Sequence, residues 1–354
     1  MKKIRVLIVD DSALVRKILS NGLGSDPEIQ IVGTARDPYV AYELIQTERP
    51  DVLTLDVEMP RMDGVTFLKK YLPQFPIPAV IVSSLTERGK KITIEAMEAG
   101  AVDVVLKPKI GVTEALPEMM GDLISRVKAA ARVNVKRYAA SKPAALPVAS
   151  GPITINSKAL AETTDRVIAI GASAGGVAAL ARIIPMFPAA APGIVIVQHM
   201  PAGFTTSFAG RLDSLAQMRV KEAEDGDRVR PGLVLLAPGG DRQLEVHRSG
   251  GEYRISLKLG EKVSGHCPSV DVMFQSVAKY VGKNAVAAIL TGMGADGAQG
   301  LLAIRQVGGQ TYAQDEATCV VFGMPQAAWK IGAADQLLPL DQIPSRLLIA
   351  LRRS

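Results

Sequence analysis

The run Gly171-Ala172-Ser173-Ala174-Gly175-Gly176 has almost no side-chain bulk and a single hydroxyl. Its Gly-x-Ser-x-Gly spacing is that of a nucleophile elbow, a sharp strand-to-helix turn that leaves a serine exposed at the bend. The apolar residues 167–170 before it read as a buried strand, and 177–180 after it begin an Ala- and Leu-rich helix. Glycines suit such a turn because it needs dihedrals that a Cβ penalises. The helix that follows aims free N–H groups at the space beside Ser173. A phosphate cradle or a purely structural strand-turn-helix would use the same features, so the turn alone leaves its use open.

A serine nucleophile needs a base, and near neutral pH that is usually histidine. The chain has three: His199, His247 and His266. His199 follows the apolar run GIVIVQ, so it emerges at a strand end as Ser173 does. His247 ends a hairpin strand, where packing or exposure explains it. His266 lies in the loop GHCPSVD and is a candidate for substrate contact. The base needs an orienting carboxylate. Asp296 is the only acid in the loop TGMGADG, which follows the strand AVAAIL. Asp271 and Asp315 are weaker candidates, because helix capping accounts for both. The order Ser…His…Asp differs from the Ser…Asp…His of α/β-hydrolases, and no histidine follows Asp296.

A second set of reactive side chains lies in the first third. Asp10 and Asp11, Asp56, Ser83 and Lys107 each stand just past an apolar run. Such strand ends converge on one crevice in a parallel α/β sheet. Three carboxylates, a hydroxyl and an ammonium make a poor core but a good site for a hard divalent cation with phosphoryl oxygens. Carboxylates gathered there without a cation repel one another and raise their pKa values.

The elements needed to position these groups are legible. Strands are expected over 4–9, 29–35, 52–55, 79–82 and 102–106, with helices over 12–22 and 38–47, an alternation that argues for a parallel sheet. After residue 122 a basic helix continues to about 138, and the Pro/Ala/Ser stretch 140–152 reads as a flexible connector. A second α/β pattern follows, with strands over 193–197, 233–237 and 285–290. Strands over 243–247 and 253–257 flank Ser249-Gly250-Gly251 and suggest an antiparallel hairpin.

The 354 residues suit two domains. The net charge of +6 does not indicate nucleic acid. Seven basic residues and no acid lie between 123 and 161, and the remainder carries −1. A solvated connector explains that better than a nucleic-acid arm. Two cysteines, Cys267 and Cys319, make no disulfide framework. No apolar run reaches the roughly 20 residues of a membrane span, and the N-terminal apolar run meets two aspartates too soon for a signal peptide. A reducing, cytoplasmic setting is expected, with no membrane insertion.

The Asp10-Asp11 pair after VLIV, Asp56 ending VLTLD, the MPRMDG loop, Ser83 and Lys107-Pro108 resemble the receiver domain of two-component response regulators. The resemblance implies that Asp56 accepts a phosphoryl group from a histidine kinase. It also implies that Asp10, Asp11 and Asp56 hold Mg²⁺, that Ser83 reports the phosphate and that Lys107 pairs with it. One position departs: Val104 stands where a switching aromatic is usual. Further on, IGASAGG, VQHMP, PSVDVMF, LTGMGADG and CVVFGMP resemble the catalytic domain of the CheB family of chemotaxis methylesterases. That implies hydrolysis of glutamate γ-methyl esters on chemoreceptors, deamidation of certain receptor glutamines, and no cofactor for this chemistry. Ser173 is then the nucleophile, His199 the base and acid, Asp296 the orienter, and the Met293 N–H an oxyanion donor. Arg is expected where Cys267 stands.

The expected architecture is therefore α/β throughout. A doubly wound receiver spans 1–122, a connector 123–160, and a catalytic domain with a mostly parallel sheet and a hairpin 161–354. The expected partners are a chemotaxis kinase and the cytoplasmic domains of methyl-accepting receptors, with the enzyme a monomer. A receiver with a nucleotide-binding or non-catalytic output domain is the competing reading.

Overall fold

The structure is a computed structural model describing residues 2–107, 116–133 and 166–351. The expected connector over 140–152, and Pro108, lie outside the described residues. Contacts divide the chain into two units, 1–139 and 140–354.

In the first unit, β1 (Ile4–Val9), β2 (Ile29–Ala35), β3 (Val52–Leu55), β4 (Ala79–Ser83) and β5 (Asp103–Leu106) form a parallel sheet of order β2-β1-β3-β4-β5. Helices α1 (Ala13–Gly24), α2 (Pro38–Glu48), α3 (Gly64–Tyr71), α4 (Glu87–Glu98) and α5 (Leu116–Ala130) alternate with the strands. Every residue of β3 and β4 is buried, as expected of parallel strands covered on both faces. Ser12, Asp37, Asp63 and Thr86 cap α1 to α4 by accepting from free first-turn N–H groups.

The last helix corrects the reading of the basic stretch. α5 runs through position 122, and its basic residues face acids of this unit. Arg126 pairs with Asp103 at 2.5 Å and Asp122 at 2.9 Å, while Lys128 lies 2.9 Å from both Asp26 and Glu28. Part of the apparent connector charge is thus used inside the first domain.

In the second unit, seven strands form a parallel sheet of order β15-β14-β13-β6-β7-β10-β8. They are β6 (Val167–Ala172), β7 (Gly193–Gln198), β8 (Arg219–Glu222), β10 (Leu233–Leu236), β13 (Ala285–Ile289), β14 (Gln310–Gln314) and β15 (Gln336–Leu338). The hairpin is longer than its sequence signal: β11 (Arg242–Ser249) pairs with β12 (Glu252–Leu259) through Gly250-Gly251, and β9 (Arg228–Val229) completes this small antiparallel sheet. The helices are α6 (Gly176–Ile183), α7 (Phe204–Leu215), α8 (Val270–Tyr280), α9 (Ala298–Gln306), α10 (Met324–Lys330) and α11 (Ile343–Ala350).

The start of α8 lies directly on the end of β6. A Cβ at Gly171 would stand 2.2 Å from Val270 Cγ1, and Val270 is itself fully buried. Gly171→Ala is therefore expected to destabilise the second domain by about 1–3 kcal/mol through overpacking. Thermal unfolding checks this: an unchanged Tm would mean that α8 can move away without cost.

Candidate active site

Strand register brings the candidate residues of the second domain together. Ala172 of β6 lies opposite Gln198 of β7, so the next residue of each strand, Ser173 and His199, leaves the sheet beside the other. The His199 N–H donates to Ala172 O at 3.0 Å. On the other side of β6, Ile289 of β13 faces Gly171, and the Ser173 N–H donates to Thr291 O at 3.0 Å. A Cβ at Gly292 would come within 2.8 Å of Ser173 Cβ, so that loop passes the serine at backbone distance. The turn before α6 uses Gly175 at φ +75°, a left-handed conformation that favours glycine.

Asp296 reaches back from the β13 loop. Its Oδ2 lies 2.7 Å from His199 Nε2, and both side chains are buried. Asp296 also accepts from Ser269 Oγ at 2.7 Å, from the Val270 N–H at 2.8 Å and from the Asp271 N–H at 3.1 Å. Burial alone raises a carboxyl pKa, but the bonds from His199, Ser269 and Val270 outweigh it and hold Asp296 below the usual carboxylate range. It therefore stands ionised beside the imidazole. With Nε2 committed to Asp296, the proton-accepting nitrogen left on His199 is Nδ1, which is buried and has no hydrogen-bond partner among the described residues.

Several contributors carry no reactive signature in sequence. Gln198 Nε2 donates to the carbonyls of both Ser173 (2.9 Å) and His199 (3.0 Å), tying the two strand ends together. Gly176 leaves room for that amide: a Cβ there would meet Gln198 Oε1 at 2.0 Å. The acid set aside as a helix cap, Asp271, is not the cap of α8; Ser269 is, and Asp271 accepts the Gly300 N–H at 2.7 Å. Asp315 accepts from the backbone and hydroxyl of Thr318. His247 stands within β11 opposite Arg254 of β12, whereas His266 stacks on His199.

Met293, between Gly292 and Gly294, is half-exposed, and its N–H has no acceptor among the described residues. Neither thiol competes with Ser173. Burial pushes both Cys267 and Cys319 up, keeping them protonated near neutrality.

The first domain gathers its own cluster. Carboxylate oxygens of Asp10, Asp11 and Asp56 lie within 4.8 Å of one another. Lys107 Nζ is 2.7 Å from Asp56 Oδ2 and 3.0 Å from Asp10 Oδ2. Burial raises the Asp56 carboxyl to about 6, against the opposing pull of Lys107 and with a further push from Asp10. Apart from its ion pair with Lys107, the buried Asp10 Oδ2 meets no hydrogen-bond donor among the described residues. An oxygen-rich, underpaired cluster of this kind fits a hard cation such as Mg²⁺. Ser83 Oγ accepts from Thr93 Oγ1 at 2.7 Å. Val104 is buried in β5.

Comparison with known proteins identifies both domains. Residues 168–347 match the family model for CheB methylesterase, and 6–115 match the response regulator receiver domain. A protein-glutamate methylesterase/protein-glutamine glutaminase of Syntrophotalea carbinolica is 55% identical over 98% of this chain and 97% of its own. The chain belongs to the CheB methylesterase family. A Pseudomonas aeruginosa relative of the same description is 50% identical over 98% of this chain and 96% of its own. The crystal structure of the Thermotoga maritima CheB catalytic domain is 43% identical, covering 52% of this chain and 97% of that one at a TM-score of 0.51. CheB membership accounts for a receiver and an α/β hydrolytic domain on one chain. No helix among the described residues is long and apolar enough to cross a membrane.

Proposed function

We propose that this chain hydrolyses glutamate γ-methyl esters on chemoreceptors, releasing methanol, and deamidates certain receptor glutamines, under control of phosphorylation at Asp56. The observation that carries the chemistry is the Asp296–His199 bond at 2.7 Å at the strand end beside Ser173. Ser173 Oγ attacks the ester carbonyl while His199 Nδ1 takes its proton. The imidazolium, stabilised by Asp296, returns that proton to the leaving methoxide, and methanol departs. Water then attacks the acyl-serine, His199 takes its proton and passes it to Ser173 Oγ, and the receptor glutamate is released. With a glutamine, ammonia leaves in place of methanol. The Met293 N–H and the N–H groups at the start of α6 stabilise the developing oxyanion, each well-placed donor contributing about 3–4 kcal/mol.

The reading divides the chain into a receiver over 1–122, extended to Ala130 by the last turns of α5, a connector from there to 160 and a catalytic domain over 161–354. In the receiver, Asp10, Asp11 and Asp56 hold Mg²⁺, which neutralises the phosphoryl oxygens when bound. Lys107 pairs with the phosphorylated Asp56, and Ser83 turns from Thr93 toward the phosphate. The phosphodonor is a chemotaxis histidine kinase, and the setting is the cytoplasm, where receptor methylation sites are reached. Phosphorylation shifts the population toward a state in which Ser173 is accessible.

Methanol release from methylated receptor tests both halves. Wild type should speed up severalfold when a small-molecule phosphodonor and Mg²⁺ are added, a population shift of about 1 kcal/mol. Asp56→Asn should keep the basal rate and lose the response. Equal stimulation of both proteins would remove Asp56 from the mechanism.

A further inference from the structure

His266 is half-buried, and its imidazole covers one face of His199. The ring centroids are 3.7 Å apart and the planes differ by 12°. Backbone geometry sets this approach. Val263 and His266 exchange N–H···O=C bonds at 3.0 and 2.9 Å. Between them, Ser264 and Gly265 have φ of 53° and 83°, and two successive positive values mark a tight turn of the I′ kind. A two-residue turn closed at both ends fixes where His266 leaves the chain. Further along the same segment, Ser269, Val270 and Asp271 all donate to Asp296. One segment thus holds the carboxylate and also covers the ring that the carboxylate orients.

A single hydrogen bond at Nε2 leaves an imidazole free to tip about that bond. For the proton to move, Nδ1, which is buried and has no hydrogen-bond partner among the described residues, must be presented to Ser173 Oγ. A flat ring at van der Waals distance blocks tipping toward that side and keeps water off that face. We propose that His266 is a positioning residue for the hydrolytic reaction, its ring stacking on His199 to keep Nδ1 directed at Ser173. This rests on the reading of Ser173, His199 and Asp296 as the hydrolytic set. It requires a flat ring at 266 and no particular ring nitrogen, which separates it from a role in hydrogen bonding to substrate.

The test compares full-length His266→Ala, His266→Leu, His266→Phe and Ser173→Ala in methanol release from methylated receptor, with kcat and KM determined separately. His266→Ala should lower kcat about 10- to 100-fold, the scale of a small misalignment of reacting groups, with KM changed less than about twofold. His266→Leu, which fills space without a flat ring, should resemble it and decides the matter if the alanine protein does not fold. His266→Phe should restore kcat to within about threefold of wild type by keeping the stack. Nitrogen-15 spectra of the His199 ring should show the wild-type tautomer in His266→Phe. Wild-type kcat in both alanine and leucine variants, a rise in KM alone, or a phenylalanine variant as impaired as leucine would overturn the proposal. Full activity in Ser173→Ala would instead overturn the underlying reading. An inactive Ser173→Ala beside a fully active His266→Leu would refute only the positioning role.

Discussion

Ser173→Ala is expected to lower methanol release by about 10⁴- to 10⁶-fold, and His199→Ala by a similar factor. The two losses should not add. Once Ser173 Oγ is gone, Nδ1 of His199 has no proton to receive, so the double variant should be no slower than either single one by more than about tenfold. What survives reflects substrate binding and oxyanion stabilisation by backbone N–H groups, which neither substitution touches. Stability should change little, because the Ser173 backbone bond to Thr291 O does not involve the side chain. Turnover by single and double variants, measured on protein with a wild-type melting curve, checks this. A Ser173→Ala protein within about tenfold of wild type would exclude the acyl-serine route.

The residues proposed to react stood out in the sequence because of where they stand. Ser173, His199 and Asp296 each follow a continuous apolar run, and the β6, β7 and β13 registers place those run ends side by side. Asp10, Asp56 and Lys107 obey the same rule in the other sheet. What supports them was less visible. Ser269 and the backbone of 270 and 271 converge on Asp296 through the packing of α8 against β6, which no local pattern encodes. Gln198 reads as an ordinary polar strand end until its amide is seen bridging two carbonyls. His266 was noticed as a residue type, but its partner lies 67 positions earlier in the chain. The polar β14, QTYAQ, and the short edge strand β8 lack the apolar runs that identified the central strands. The basicity of 123–161 was placed correctly in sequence and misread in part, because Asp103 and Asp26, the partners of Arg126 and Lys128, lie far away along the chain.

Asp296→Asn, which keeps shape and removes charge, should lower kcat by about 10³- to 10⁴-fold. Asp296 Oδ1 accepts from Ser269 and Asp271, and Oδ2 from Val270 and His199. An asparagine has one oxygen, so its NH₂ must confront a backbone donor whichever way it is turned. Facing Val270, the NH₂ also forces His199 to accept at Nε2 and carry its proton on Nδ1, where it cannot receive another from Ser173. Facing Asp271, it preserves the tautomer but leaves the imidazolium without a carboxylate. Both arrangements slow proton transfer. The same substitution should alter acid stability. Because the folded-state pKa of Asp296 is depressed, its ionised form stabilises the domain above the unfolded value of about 3.9, and that contribution is lost as pH falls through the folded value. Asp296→Asn should therefore be less stable than wild type near neutrality, with the gap closing under acid. Melting curves from pH 7 down to pH 3, read beside kcat, separate the two effects. A large loss of kcat with a pH-independent stability gap would leave Asp296 as the orienter of His199 while assigning the stability of its loop to other contacts.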